Sequence, residues 1–153
     1  MKTFTSSLTI FLFLFATPLL AQSPEEIELA RTIAETEKKV IVARNMELTD
    51  PESEEFWPVY NAYQVDVRKI NDRTIKLIRG YAENYETLSD ERAEEMLKEF
   101  LDIQNARVKL KKSYVKKFRK VLPPKKLMRY YQVENKVEAM VNFDLVKTIP
   151  LAR

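Results

Sequence analysis

The sequence predicts an all-α fold of four helices, built as a long antiparallel helical hairpin with flanking helices. Glycine occurs once in 153 residues, at Gly80. Prolines punctuate the chain at Pro24, Pro51, Pro123–Pro124 and Pro150, each beside a helix-start or helix-stop pattern. Between them, apolar residues recur at three- and four-residue spacing, the period of an α-helix. A β-rich fold needs many turn residues and β-branched alternation, and neither is present.

The first stretch, MKTFTSSLTIFLFLFATPLLAQS, stands apart. Lys2 supplies a positive start, Leu8 to Phe15 is apolar apart from Thr9, and Ala21 is a small residue suited to cleavage. This is the anatomy of a secretory signal peptide, expected over residues 1–21. The apolar run is shorter than the ~20 residues a membrane span needs. An uncleaved N-terminal anchor is the alternative. No cysteine follows that could carry a lipid. Residues 22–153 are then one domain working outside the cytoplasm, with a short tail at 149–153.

That domain has no Cys, so no disulfide supports it in an oxidising compartment. It has no His either, which removes the usual ligands of zinc, copper and haem iron. No acidic stretch has the spacing and glycine of a calcium loop. Glycine-rich phosphate loops are missing too. A non-enzymatic protein without cofactor or metal is expected.

Ser23-Pro24-Glu25-Glu26 opens the first helix, with Ser23 as cap, Pro24 at the first position and Glu26 closing a capping box. Its apolar stripe is read as Ile27, Ala30, Ile33, Ala34, Val40 and Ile41, ending near Met46. Leu48-Thr49-Asp50-Pro51 repeats the pattern, with Thr49 or Asp50 as cap and Glu52, Glu54 and Glu55 at the positive end of the dipole. Phe56, Tyr60, Tyr63, Val67, Ile70, Thr74, Leu77 and Tyr81 then alternate spacings of four and three, one seam packed lengthwise on neighbours. Gly80 lies near the expected end of this second helix. Asn84–Leu88 is the predicted turn, and Thr87-Leu88-Ser89-Asp90 offers a capping box to the third helix. That helix carries Ala93, Met96, Leu97, Phe100, Leu101, Ile103, Leu110, Tyr114 and Phe118 and ends near Val121. Pro123-Pro124 forces a break, because the residue before a proline avoids helical geometry. The fourth helix starts at Pro124, uses Leu127, Tyr130, Tyr131, Val137, Met140, Val141 and Leu145, and stops at Pro150. A thin, elongated shape buries little apolar surface per residue, which favours a homodimer.

Two stretches echo each other. Leu48-Thr49-Asp50-Pro51-Glu52 precedes Phe56-Trp57, and Leu122-Pro123-Pro124-Lys125-Lys126 precedes Tyr130-Tyr131. In both, a Leu sits just outside a helix start and an aromatic pair follows eight and nine residues later. Together with the leader and the helical pattern, this resembles the Spy and CpxP family of periplasmic proteins, whose mark is a pair of L-T-x-x-Q motifs, each opening a helix. The resemblance covers about residues 34–132. The first motif departs at Glu52; the second keeps Leu122 and has Pro123 and Lys126 in place of Thr and Gln. The family implies a cradle-shaped antiparallel dimer in the periplasm, acting as an ATP-independent chaperone or as an envelope-stress and metal sensor. The metal-binding members use His, which is absent here. Glu52 and Lys126 occupy equivalent motif positions, so side-by-side motifs would pair them; an exposed pair tunes register more than stability.

The strongest electrostatic feature is RVKLKKSYVKKFRKVLPPKKLMR, residues 107–129. It holds Arg107, Lys109, Lys111, Lys112, Lys116, Lys117, Arg119, Lys120, Lys125, Lys126 and Arg129, and no acid occurs from Ile103 to Val133. Outside this stretch the chain after the leader carries 14 bases against 23 acids. A solvated helix face usually mixes signs, and like charges this dense repel. Two readings stand. In one, the interleaved Leu110, Tyr114, Val115 and Phe118 are core and the lysines neutralise the acidic first and second helices. In the other, Arg107, Lys109, Lys111, Lys112, Tyr114, Lys116, Lys117, Phe118, Arg119 and Lys120 line a basic, partly apolar surface for acidic segments of unfolded envelope proteins. The periplasmic domain of a membrane sensor or anti-sigma factor could use the same surface. Contact with anionic lipid at a membrane surface fits the charge; nucleic acid is not expected for an exported chain.

FWPVY holds the only tryptophan. Pro58 falls at the eighth helical position, where a proline removes the bond to the Glu54 carbonyl and costs about 3 kcal/mol. The long helix is therefore expected to restart at Pro58 with a kink. Phe56 is assigned to the core, and Trp57 to packing at the junction with the Leu122–Tyr131 motif.

Overall fold

The computed structural model describes residues 24–152. Residues 1–23, with the expected signal peptide and the Ser23 cap, and the side chains of Glu26, Ile27 and Leu145 lie outside the described residues. Four helices follow in order: α1 (Pro24–Met46), α2 (Asp50–Asn84), α3 (Asp90–Phe118) and α4 (Pro124–Thr148). No strand occurs among the described residues. The fold is all-α, as expected.

α2 and α3 form an antiparallel hairpin. Arg73 is paired with Glu99 at 2.9 Å, the Tyr114 hydroxyl donates to Asp66 at 2.7 Å, and the rings of Phe56 and Phe118 lie 5.6 Å apart. α1 and α4 make the second close pairing. The seam read along α2 is the observed one: Phe56, Tyr60, Tyr63, Val67 and Ile70 are buried and Thr74, Leu77 and Tyr81 half-buried.

The main core gathers at one end of the hairpin, where α2 and α4 begin and α1 and α3 finish. Phe56, Tyr60, Tyr63, Tyr114, Phe118, Leu122, Leu127, Tyr130 and Val133 meet there with Val42 and Met46 of α1. Away from it, Ile70, Met96 and Ile103 are buried between α2 and α3. Leu97, Phe100 and Leu101, expected as core of α3, are exposed, as are Met140 and Val141 of α4.

α1 also differs from its expected stripe. Val40 and Ile41 are exposed, and Val42 and Met46 are fully buried. The inward face runs through Arg31, Glu35, Lys38, Val42 and Met46, spaced four, three, four and four residues apart. Its first half docks by ion pairs: Arg31 with Asp72 at 2.6 Å, Glu35 with Arg68 at 2.6 Å and Lys38 with Glu134 at 2.6 Å. A stripe built half from charges leaves no apolar period to read.

Three boundaries sharpen. Thr49 caps α2, its backbone N–H donating to Glu52 at 2.8 Å. α3 is capped by Ser89, which accepts from the Arg92 N–H, rather than by a box from Thr87. α2 neither restarts at Pro58 nor stops at Gly80; it runs unbroken to Asn84 with Pro58 inside it. Pro58 and Glu54 are both exposed, so the carbonyl that loses its partner faces water. Phe56, Trp57 and Tyr60 meanwhile pack ring to ring across the site, at 5.1, 5.8 and 5.2 Å.

Candidate functional site

The two echoing motifs lie side by side. Lys126, in the first turns of α4, is ion-paired with Glu52 and also donates to the Glu47 carbonyl at 2.9 Å. Arg129, one turn on, reaches the Glu47 carboxylate at 2.9 Å. Glu47 follows α1 with φ 48°, a left-handed residue that closes the helix. Beneath these charges Phe56 and Tyr130 meet edge to face at 5.3 Å, with Leu122 buried and Leu48 and Tyr131 half-buried against the same core. Pro51 and Pro124 occupy the first turns of α2 and α4. The pairing of Glu52 with Lys126 is the one expected from the motif register.

Trp57 is a packing residue, half-buried against the core that includes Leu122, Leu127 and Tyr130. Its rings contact Phe56 and Tyr60, its indole N–H donates to Ser53 at 2.9 Å, and Lys39 of α1 lies 5.2 Å over its face. Phe56 makes the ring contact to Tyr130 of the second motif.

The basic run does not act as one surface. Arg107 and Lys111 pair with Glu138 of α4 at 3.3 and 2.5 Å, and Lys126 and Arg129 serve the motif junction. Tyr114 and Phe118, expected on the binding surface, are buried. Phe118 packs on Phe56 and Tyr130, while the Tyr114 hydroxyl is spent on Asp66. Burial, then that hydrogen bond, pushes the Tyr114 hydroxyl up to about 12. These two residues serve the core and do not meet a partner in this fold. Lys117 lies 3.9 Å over the Tyr114 ring.

Lys109, Lys112, Lys116, Arg119, Lys120 and Lys125 remain exposed and make no ion pair among the described residues. Both readings of the run thus hold in part: four of the eleven cations neutralise acids of α2, α4 and the loop after α1, Lys117 sits on the Tyr114 ring, and six stay open. Near the open set, Val108 of α3 and Met128 of α4 present exposed apolar side chains. Among the described residues no group of carboxylates is arranged to hold a metal ion, and no helix is long and apolar enough to cross a membrane.

Comparison of the chain with family models, curated proteins and solved structures finds no match.

Reading the sequence alone misses the pair beneath α1. Glu134 is 3% exposed and bound by Lys38 through one oxygen; its other oxygen, the Tyr130 hydroxyl and the Gln64 amide nitrogen are buried without a partner. Burial, then the Glu134 charge, raises Tyr60, Tyr63 and Tyr130 well above the ordinary tyrosine range. One signal was available: Glu134 and Glu138 are the first acids after the basic run and stand one turn apart on α4.

Proposed function

We propose that the chain is an exported, ATP-independent chaperone-like protein of the periplasm, capturing unfolded or acidic protein segments on the open basic face of α3 and the start of α4. The observation that carries this reading is a concentration of six exposed cations between Lys109 and Lys125 that make no ion pair among the described residues, on a stretch with no acid of its own. Such a field draws acidic segments over a distance and raises the capture rate. The exposed Val108 and Met128 supply weak apolar contact once a segment arrives. The leader supports export, and a chain without His, Cys or phosphate-binding glycines supports binding over catalysis.

The test is aggregation of a denatured client protein, followed by light scattering with the purified chain present. Suppression at stoichiometric excess without nucleotide is expected, and unchanged aggregation would reject the reading. Recovery of one stoichiometric partner from envelope extracts, with no suppression, would assign the face to a sensor or anti-sigma factor instead.

A further inference from the structure

The first helix is held to the rest of the molecule in two different ways. Val42 and Met46, near its end, are buried in the main core. Every described α1 side chain before them is half-buried or exposed. What fixes that earlier part is charge. Arg68 of α2 takes Glu35 in a two-pronged contact at 3.0 and 2.6 Å, and Glu28 at 2.9 Å. Arg31 reaches Asp72 of α2 at 2.6 Å, and Lys38 reaches Glu134 of α4 at 2.6 Å. The Glu28 and Asp72 side chains are 56% and 52% exposed, so dissolved salt screens the outer contacts.

The strip beneath α1 is polar and incompletely paired. Trp57, Gln64, Arg68 and Asp72 fall on one side of α2, spaced seven, four and four residues apart. Three of the four meet α1: Trp57 through Lys39, Arg68 through Glu28 and Glu35, and Asp72 through Arg31. Gln64 lies between them, and its amide nitrogen is buried without a hydrogen bond among the described residues. On α4, at the level that Lys38 marks, one oxygen of Glu134 and the Tyr130 hydroxyl are in the same condition. A buried polar atom without a partner destabilises the state that buries it. A buried ion pair also loses much of its attraction to the water both charges give up. Lifting α1 returns water to these groups, so the docked state carries a built-in opposing force.

We propose that residues 24–38 of α1 form a strap that lifts off α2 and α4 as ionic strength rises, hinging at residues 39–41 while Val42 and Met46 stay anchored. Closed, the strap covers Gln64, Arg68 and Glu134; open, it uncovers that strip. The hairpin of α2 and α3 stays intact, because its contacts, such as Arg73 with Glu99 and Tyr114 with Asp66, do not involve α1. The charges also return the strap to one place. Glu28, Arg31, Glu35 and Lys38 alternate in sign and meet Arg68, Asp72, Arg68 and Glu134. A slip of one turn would set Glu35 on Asp72 and Lys38 on Arg68, like charge on like. The inference does not rest on client capture, because the open cations of α3 and α4 take no part in it.

Amide hydrogen exchange on the purified chain, followed by mass spectrometry at about 0.02 and 0.5 M sodium chloride, tests it. Amides of residues 28–38 are expected to exchange about tenfold faster at the higher salt, while those of residues 56–67 and 103–118 keep their protection. Arg68→Gln removes the contacts to Glu28 and Glu35. It should raise exchange of residues 28–38 about tenfold at low salt and flatten the salt response, with α2 and α3 protected as in the native chain. Lys98→Gln, which removes a pair inside α3, should leave α1 unchanged. The native-chain measurement decides the matter even if Arg68→Gln fails to fold. Exchange of α1 that ignores salt, a rise shared equally by α2 and α3, or a folded Arg68→Gln chain with native protection of α1 would overturn the proposal. So would loosening of α1 by Lys98→Gln.

Discussion

Lys126 of α4 is ion-paired with Glu52 of α2 across 74 residues of chain, and the same ammonium holds the Glu47 carbonyl. Two helix starts and one helix end are thereby locked in register above the Phe56–Tyr130 contact. Glu52 also closes the Thr49 cap, so one carboxylate fixes a helix start and the junction of two motifs.

The lock should be cooperative and sensitive to acid. The Lys126 ammonium, then the Thr49 N–H, hold the Glu52 carboxyl below its ordinary value of 4.5. A depressed carboxylate stabilises the fold fully above the unfolded value and loses that contribution as pH falls through the folded one. Glu52→Gln and Lys126→Gln should each lower the melting temperature near neutrality, and the double variant should melt no lower than the worse single. As pH falls below 4.5 and through the lowered folded value, the gap between the native chain and Glu52→Gln should close. Additive losses in thermal melts would remove the coupling.

The Lys38–Glu134 pair behaves differently because it is buried. Lys38→Met leaves the Glu134 charge buried and unpaired, which should cost about 3–5 kcal/mol. Replacing both with apolar residues, Lys38→Met with Glu134→Leu, should recover most of that loss. Urea denaturation of the three variants checks the order; a single variant as stable as the native chain would contradict it.

Two tyrosine-to-phenylalanine changes should have unequal effects. Tyr130→Phe removes a buried hydroxyl without a partner and should be neutral or stabilising. Tyr114→Phe breaks the bond to Asp66 and should cost about 1–2 kcal/mol. Burial also raises Tyr60, Tyr63 and Tyr130, so their stabilising effect is complete below the ordinary tyrosine value of 10.0 and is lost as pH rises beyond it. Tyrosinate absorbance in a base titration should therefore show a late phase that coincides with loss of helical circular dichroism.

Gly80 lies inside α2 with ordinary helical backbone. A methyl group there would meet Met96 at 3.5 Å and Arg92 at 3.7 Å, both normal contacts. Gly80→Ala should therefore stabilise the fold by about 0.5–1 kcal/mol. A lower melting temperature would show that the position serves something besides the helix.

Much of the fold is legible because its signals are local. Proline and cap residues mark the helix starts, and the Phe56–Tyr81 seam has a single apolar period. The Glu52–Lys126 pair followed from aligning two motifs, which places residues far apart in sequence on a shared register. What the sequence hides depends on partners. Val42 and Met46 face inward because Arg31, Glu35 and Lys38 share their stripe and find acids and bases on α2 and α4. Leu97, Phe100 and Leu101 read as core by period, yet no helix covers that side of α3. Tyr114 and Phe118 read as part of a basic face, although a helix turns their side chains about 100° per residue away from the adjoining lysines. Arg107 and Lys111 looked open until α4 brought Glu138 against them.

The open cations are the central claim, and salt-dependent capture kinetics test it most directly. The rate at which the chain captures a denatured acidic client should be measured across ionic strength, for the native chain and for Lys109→Gln/Lys116→Gln/Lys120→Gln. These three lysines are exposed and unpaired, so the fold should be unchanged. The native rate should fall steeply with salt; the variant should be about tenfold slower at low salt, nearly flat, and should converge on the native rate at high salt. Equal rates and equal salt slopes for the two chains would contradict capture by the basic face.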